Sequence, residues 1–182
     1  MTQLAALLKA KMVDAAAHDA ATSDLNLLRK PTEAQAEAGN YRKGHTRVGG
    51  LAIAIENPAG SRRRPAWPPM VAHYGYVKRT AGADGDAVDV FVQPATPNDW
   101  DGTVFVIDQT DGDGGFDEHK CMLGYDDRAS AVRAYAAHFP DGWEIGAVTA
   151  LSLPEFKAWL RDGDTTGPLA KLAKVRLRAS LP

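Results

Sequence analysis

The stretch from Leu51 to Leu123 constrains this chain most, because its apolar residues come in short runs, each cut off by turn residues. Leu51, Ile53 and Ile55 alternate with Ala52, Ala54 and Glu56, a period of two that sends successive side chains to opposite faces of a strand. Asn57-Pro58-Ala59-Gly60 ends that run as a turn. The same reading predicts strands over Tyr74–Thr80 and Ala87–Gln93, joined by Gly82-Ala83-Asp84-Gly85-Asp86. A hairpin of Thr103–Gln109 with Glu118–Leu123 follows, around a tight turn at Asp111–Gly115.

Helical patterns flank this β region. Residues 2–20 place Leu4, Leu7, Leu8, Met12 and Ala15 near helical spacing amid many alanines. A second helical stretch is expected over Ser23–Ala38, broken near Pro31 and ended by Gly39-Asn40. Residues 1–40 therefore read as a helical arm for packing or for contact within a homo-oligomer, and residues 41–182 as the main domain. Asp126–Phe139 is a third helix, with Ala131, Val132, Tyr135 and Phe139 facing inward. Ser152-Leu153-Pro154-Glu155 starts a fourth, with Ser152 as cap, Pro154 in the first turn and Glu155 closing a capping box. Val175–Leu181 reads as a last strand. The class is α+β.

Composition excludes several functions. The 182 residues are 45% hydrophobic and 24% charged, with net charge −2. That balance gives no global attraction to nucleic acid or anionic membrane. No apolar run approaches the roughly 18 residues that span a bilayer, and Lys9, Lys11, Asp14 and Asp19 interrupt the N-terminus too often for a secretory signal. A cytoplasmic protein is the expectation. The one cysteine, Cys121, excludes an internal disulfide and a multi-cysteine zinc site; beside Met122 and Leu123 it reads as a buried strand residue.

The chemistry concentrates in Asp84-Gly85-Asp86-Ala87-Val88-Asp89. Hard divalent cations such as Mg²⁺ take oxygen ligands, and carboxylates supply both oxygen and charge. Asp84 and Asp86 can converge, while Asp89 starts the strand Val88-Val90-Val92 and faces away from those valines. A solvated turn competes with this reading; Asp162-Gly163-Asp164 has the same look, lacks the later carboxylate, and is taken as such a turn. A second acidic group spans Asp108, Asp111, Asp113, Asp117 and Glu118, followed by Lys120. Glu118 and Lys120 share a strand face, so one can bind metal while the other meets phosphate.

A polyanionic substrate also needs donors. Arg62, Arg63 and Arg64 can offer forked hydrogen bonds to phosphate; Arg62 and Arg64 are taken as candidate substrate contacts, with Lys78, Arg79 and Lys120 adding charge. Tyr74 and Tyr76 flank Gly75 on one strand face, and one phenol could donate to phosphate. His45, His73 and His119 lack metal-ligand spacing and read as structural, and His18 and His138 as incidental. No nucleophile elbow and no Walker-type loop is present. The basic tail (Lys171, Lys174, Arg176, Arg178) raises a nucleic-acid reading that the carboxylates argue against.

His73-Tyr74-Gly75-Tyr76-Val77-Lys78-Arg79-Thr80, followed by Ala83-Asp84-Gly85-Asp86-Ala87-Val88-Asp89-Val90-Phe91-Val92, resembles the signature of soluble family I inorganic pyrophosphatases. The resemblance implies an OB-like five-stranded β-barrel with flanking helices, Mg²⁺ dependence with Mn²⁺ as an alternative, and hydrolysis of pyrophosphate to two phosphates. It implies Asp84, Asp86 and Asp89 as metal ligands, with Asp86 also the general base, and Tyr74 and Lys120 as phosphate contacts. Glu56 resembles the glutamate at the end of an early strand. Glu118-His119-Lys120 resembles the family's Asp-x-Lys. The acidic residue just before could be Asp111 or Asp113, with Asp111 favoured. The chain departs from the pattern in His73 for Asn, in Ala87 for Pro, and in a compact Arg62–Arg64 cluster where the family has a Lys-x-Glu hairpin and a following arginine. It looks closest to divergent pyrophosphatase-like domains of phages and mobile elements, which would put it in a host cytoplasm.

Overall fold

The computed structural model describes residues 3–139 and 145–170, the side chains of 3, 5–7, 9 and 10 apart. The strand expected at Val175–Leu181 and the basic tail lie outside these residues. Four helices and seven strands are described: α1 (Gln3–Ala17), α2 (Glu33–Glu37), β1 (Gly44–Val48), β2 (Leu51–Asn57), β3 (His73–Val77), β4 (Asp89–Val92), β5 (Thr103–Thr110), β6 (Phe116–Leu123), α3 (Arg128–Ala136), β7 (Val148–Ser152) and α4 (Leu153–Asp162). No described helix is long and apolar enough to cross a membrane.

The strands form one mixed sheet in the order β1-β2-β3-β4-β6-β5-β7. All pairs are antiparallel except β4 with β6. The α+β class holds, but the sheet has seven strands rather than five and is not closed: β1 and β7 are its edges. Neither edge strand carries a clean apolar alternation. β1 buries only Gly44 and Val48, and no residue of β7 is fully buried. Backbone pairing to a strong neighbour, rather than side-chain pattern, makes them strands.

The central strands are covered on both faces. Val90 and Val92 of β4 join Ile53, Ile55, Val104, Val106, Cys121 and Leu123 in one apolar cluster, closed by Phe156 and Trp159 of α4. Phe91 points the other way, into a cluster with Tyr74, Phe105, Ile107, Met122 and Tyr135 of α3. Cys121 is fully buried, and that burial holds its thiol well above the usual range. Its expected place in a strand interior is correct.

The expected helix over residues 2–20 is α1, and its inner side, Val13 and Ala17, belongs to the first cluster. The helix comes so close to β1 that a Cβ on Gly44 would overlap the carbonyls of Ala16 and Ala17. Asp14 ties it to the sheet: one oxygen lies 3.0 Å from His73 Nε2, and both accept the Ala95 N–H. His73 Nδ1 accepts from Ala59 N–H at 3.1 Å. The outer side leaves Leu4, Leu8 and Met12 exposed. Only Glu33–Glu37 of the second expected helix forms, because Thr32 caps it through a capping box directly after Pro31. The start of α4 is as expected, Ser152 accepting from Glu155 N–H with proline in the first turn.

His138, just beyond α3, has a structural job the sequence did not suggest. Its Nε2 accepts from Val71 N–H at 3.1 Å and Ala72 N–H at 3.2 Å, and its ring stacks on Phe91. Burial lowers its pKa to about 4. The unfolded value is about 6.5, so the unfolded chain takes up the proton first as pH falls. This contribution is fully present above pH 6.5 and is lost down through pH 4, amounting to about 3 kcal/mol. Urea titrations at pH 7 and pH 4 should show the chain losing about that much more stability than a His138→Gln variant; equal losses would contradict it.

Gly75 crosses Ala54 so closely that a Cβ would overlap its carbonyl oxygen and carbon. Gly75→Ala should cost about 3 kcal/mol in urea denaturation by forcing β2 and β3 apart.

Candidate active site

A charged cluster forms on the sheet face that carries Phe91 and Met122. Asp89 opens β4, and the parallel register sets Lys120 of β6 beside it. Glu118, two residues earlier on β6, shares that face. Lys120 is 2% exposed. Its ammonium pairs with Asp89 Oδ2 and lies 2.7 Å from Glu118 Oε1. The Tyr74 hydroxyl donates to the same Asp89 Oδ2 at 2.6 Å. Above the Tyr74 ring, 4.0 Å from its centre, sits the Arg63 guanidinium.

Burial, then the Asp89 charge, pushes the Tyr74 phenol well above its usual range, with Arg63 opposing. Tyr74 therefore keeps its proton and stays a hydrogen-bond donor. Burial also raises Glu118, against the pull of the Lys120 ammonium. The hydrogen bonds fall on one oxygen of each carboxylate. Asp89 Oδ2 accepts from Tyr74 and Lys120, and Glu118 Oε1 accepts from Gln109 at 3.2 Å. Among the described residues, hydrogen bonding leaves Asp89 Oδ1 and Glu118 Oε2 unused.

Other sequence candidates lie outside this cluster. Asp84 and Asp86 are exposed, and Asp84 Oδ1 accepts the Asp86 N–H at 3.0 Å, with Gly85 at φ 86° making the turn. Asp111 Oδ1 accepts from Asp113 N–H and Gly115 N–H at 3.0 and 2.8 Å, holding its own hairpin tip. Glu56 of β2 pairs with Lys43 at 3.1 Å, and that ammonium also sits over the Tyr41 ring. Lys78 is exposed just past β3. Arg62 donates to the Trp67 carbonyl in its own loop, and Arg64 lies over the Trp67 ring. Of the three arginines it is the middle one, Arg63, that reaches Tyr74. Among the described residues no group of three or more His, Cys, Asp or Glu is arranged to hold a metal ion.

Sequence reasoning passed over Gln109, Lys43 and Tyr41. For Gln109 a signal existed: a polar residue one turn of alternation beyond Phe105 and Ile107, on their buried face. The spacing of three adjacent arginines held no signal for which one turns inward. His119 and Asp108 occupy the opposite face of the same strands. Asp108 is buried and accepts from Leu169 N–H and Ala170 N–H, so its carboxylate is committed to those backbone groups.

The family model described as inorganic pyrophosphatase matches residues 33–161, from α2 into α4. No curated protein matches the chain.

Removing the Lys120 charge would leave two part-buried carboxylates facing each other. Lys120→Met should therefore destabilise the fold by about 3 kcal/mol at neutral pH. Guanidinium denaturation measures it; a change under about 0.5 kcal/mol, typical of an exposed pair, would contradict the cluster.

Proposed function

The chain belongs to the inorganic pyrophosphatase family, and from that premise we propose that it hydrolyses a phosphoanhydride, with inorganic pyrophosphate as first substrate and Mg²⁺, or Mn²⁺, as metal. The observation that carries this reading is the buried Lys120 ammonium held beside Asp89, Glu118 and Tyr74, with Arg63 against the Tyr74 ring. Cationic and phenolic donors stand next to carboxylates on one sheet face, the combination that a metal-complexed polyphosphate requires.

The donor chemistry fits a hard cation. Every candidate ligand is a carboxylate, and Asp89 Oδ1 and Glu118 Oε2 are not used by hydrogen bonds among the described residues. Asp84, Asp86, Asp89 and Glu118 would hold the metal; Glu56 and Asp111, the remaining acidic candidates, would join only by leaving Lys43 and the hairpin-tip N–H groups. A bound divalent cation would screen the phosphate charge and ease ionisation of a water. Asp86 takes the proton of the attacking water on its carboxylate. Water oxygen bonds to one phosphorus, the bridging P–O bond breaks, and the second phosphate leaves. Lys120 and the Tyr74 hydroxyl donate to the phosphate oxygens as charge builds there. Arg63 lies close enough to Tyr74 to join them. Arg62, Arg64 and Lys78, all exposed, add positive charge for an approaching polyanion.

A second reading is a module that binds phosphate ligands without turnover. It is favoured by one observation: Asp84 and Asp86 sit in their own exposed turn, and no described trio of ligands converges. Phosphate release from pyrophosphate with Mg²⁺ separates the two. The chain should release phosphate, and Asp86→Asn should cut the rate at least about 100-fold. No release from pyrophosphate or from any of a nucleotide panel would overturn the first reading. Binding of imidodiphosphate without release from pyrophosphate would favour the second.

A further inference from the structure

Gln109 lies on β5 next to the cluster, 4% exposed. Its amide nitrogen is 3.0 Å from Asp117 Oδ2 and 3.2 Å from Glu118 Oε1. Its amide oxygen accepts from the Tyr135 hydroxyl at 2.9 Å. Ionised carboxylates only accept hydrogen bonds, so the NH₂ end must face Asp117 and Glu118. A flipped amide would set its oxygen against two carboxylate oxygens. The carbonyl end is thereby turned to Tyr135, whose phenol must donate. Tyr135 is fully buried on α3, packed on Phe91 and Phe139. The chain of donors thus runs from a helix core through Gln109 to Glu118, and all directions along it are fixed.

The consequence concerns the two oxygens of Glu118. Lys120 and Gln109 both reach Oε1. Lys120 alone could be satisfied by either oxygen, because an ammonium on a flexible stem has no planar preference. Gln109 is anchored from behind and approaches from one side.

We propose that Gln109, held by Tyr135, is a positioning residue that fixes Glu118 with Oε1 toward the protein and Oε2 toward the site. The inference rests on the metal-binding reading of the site given above. It assigns no chemistry to Gln109 or Tyr135; both act through Glu118.

The test is Mn²⁺ binding to the full chain without substrate, followed by the electron paramagnetic resonance signal of free Mn²⁺, with thermal melting alongside. Gln109→Met and Tyr135→Phe, which keep side-chain length or ring packing, should each weaken Mn²⁺ binding about 10-fold, the usual effect of losing a partner behind a metal ligand. The double variant should bind no more weakly than Gln109→Met, since the proposal has the Tyr135 hydroxyl act on Glu118 through Gln109. Lower melting temperatures with unchanged Mn²⁺ affinity would make the contacts merely structural and overturn the proposal. Losses that add in the double variant would overturn it too. A folded wild-type chain that binds no Mn²⁺ would remove the metal-binding reading and the relay with it. Mn²⁺ binding with the expected losses but no pyrophosphate hydrolysis would leave the relay standing and remove only the proposed turnover.

Discussion

The buried ammonium of Lys120 is the interaction on which the site depends. Asp89 and Glu118 come from adjacent strands and are both partly withdrawn from water. Two carboxylates so placed raise each other's proton affinity unless a cation lies between them. Lys120 supplies that cation, and the parallel pairing of β4 with β6 puts it there. Tyr74 then donates to Asp89 and Gln109 to Glu118, one on each side of that ammonium.

The sheet explains why this cluster sits where it does. Its middle is apolar on both faces, sealed by α4 and α1 on one side and α3 on the other. A charged group in that middle would have no water and few partners. Asp89 is the first residue of β4, and Glu118 and Lys120 lie in the first five residues of β6. The charges therefore gather at one end of the sheet, still fixed by strands but near its rim. Tyr74 reaches there from the apolar interior, its ring packed on Phe91 and its hydroxyl on Asp89.

What was legible in the sequence follows the same physics. Strands β2 to β6 were readable because burial on two faces imposes strong apolar patterns, down to Asp89 facing away from the valines. Strands β1 and β7 were not, since an edge strand needs only a neighbour's backbone. Helix α4 announced itself through Ser152, Pro154 and Glu155. The helix expected over Ser23–Ala38 shrank to five residues because composition there favoured helix without any face to bury. In the site, Tyr74, Asp89, Glu118 and Lys120 were all singled out, and they do meet. Asp111 was expected as a ligand from the resemblance; one oxygen of its carboxylate accepts from backbone N–H groups of its own turn, a contact that spacing did not suggest. Arg63 depended on which way its loop turns, and three adjacent arginines carry no record of that, whereas Gln109 was marked by its alternation with Phe105 and Ile107 and was passed over.

The parallel joint between β4 and β6 also bears on how the chain folds. Asp89 and Lys120 are 31 residues apart, and β5 is spelled out between them. Neither the β3–β4 nor the β5–β6 hairpin, formed alone, brings the ammonium to Asp89. The pair forms only when the two hairpins dock, after a sizeable loop has been closed. Until then Asp89 keeps its hydration, and the cost of stripping it falls on the docking step. The charged residues of this face thus make the joining of the two halves of the sheet slower than hairpin formation, as non-local pairing does generally.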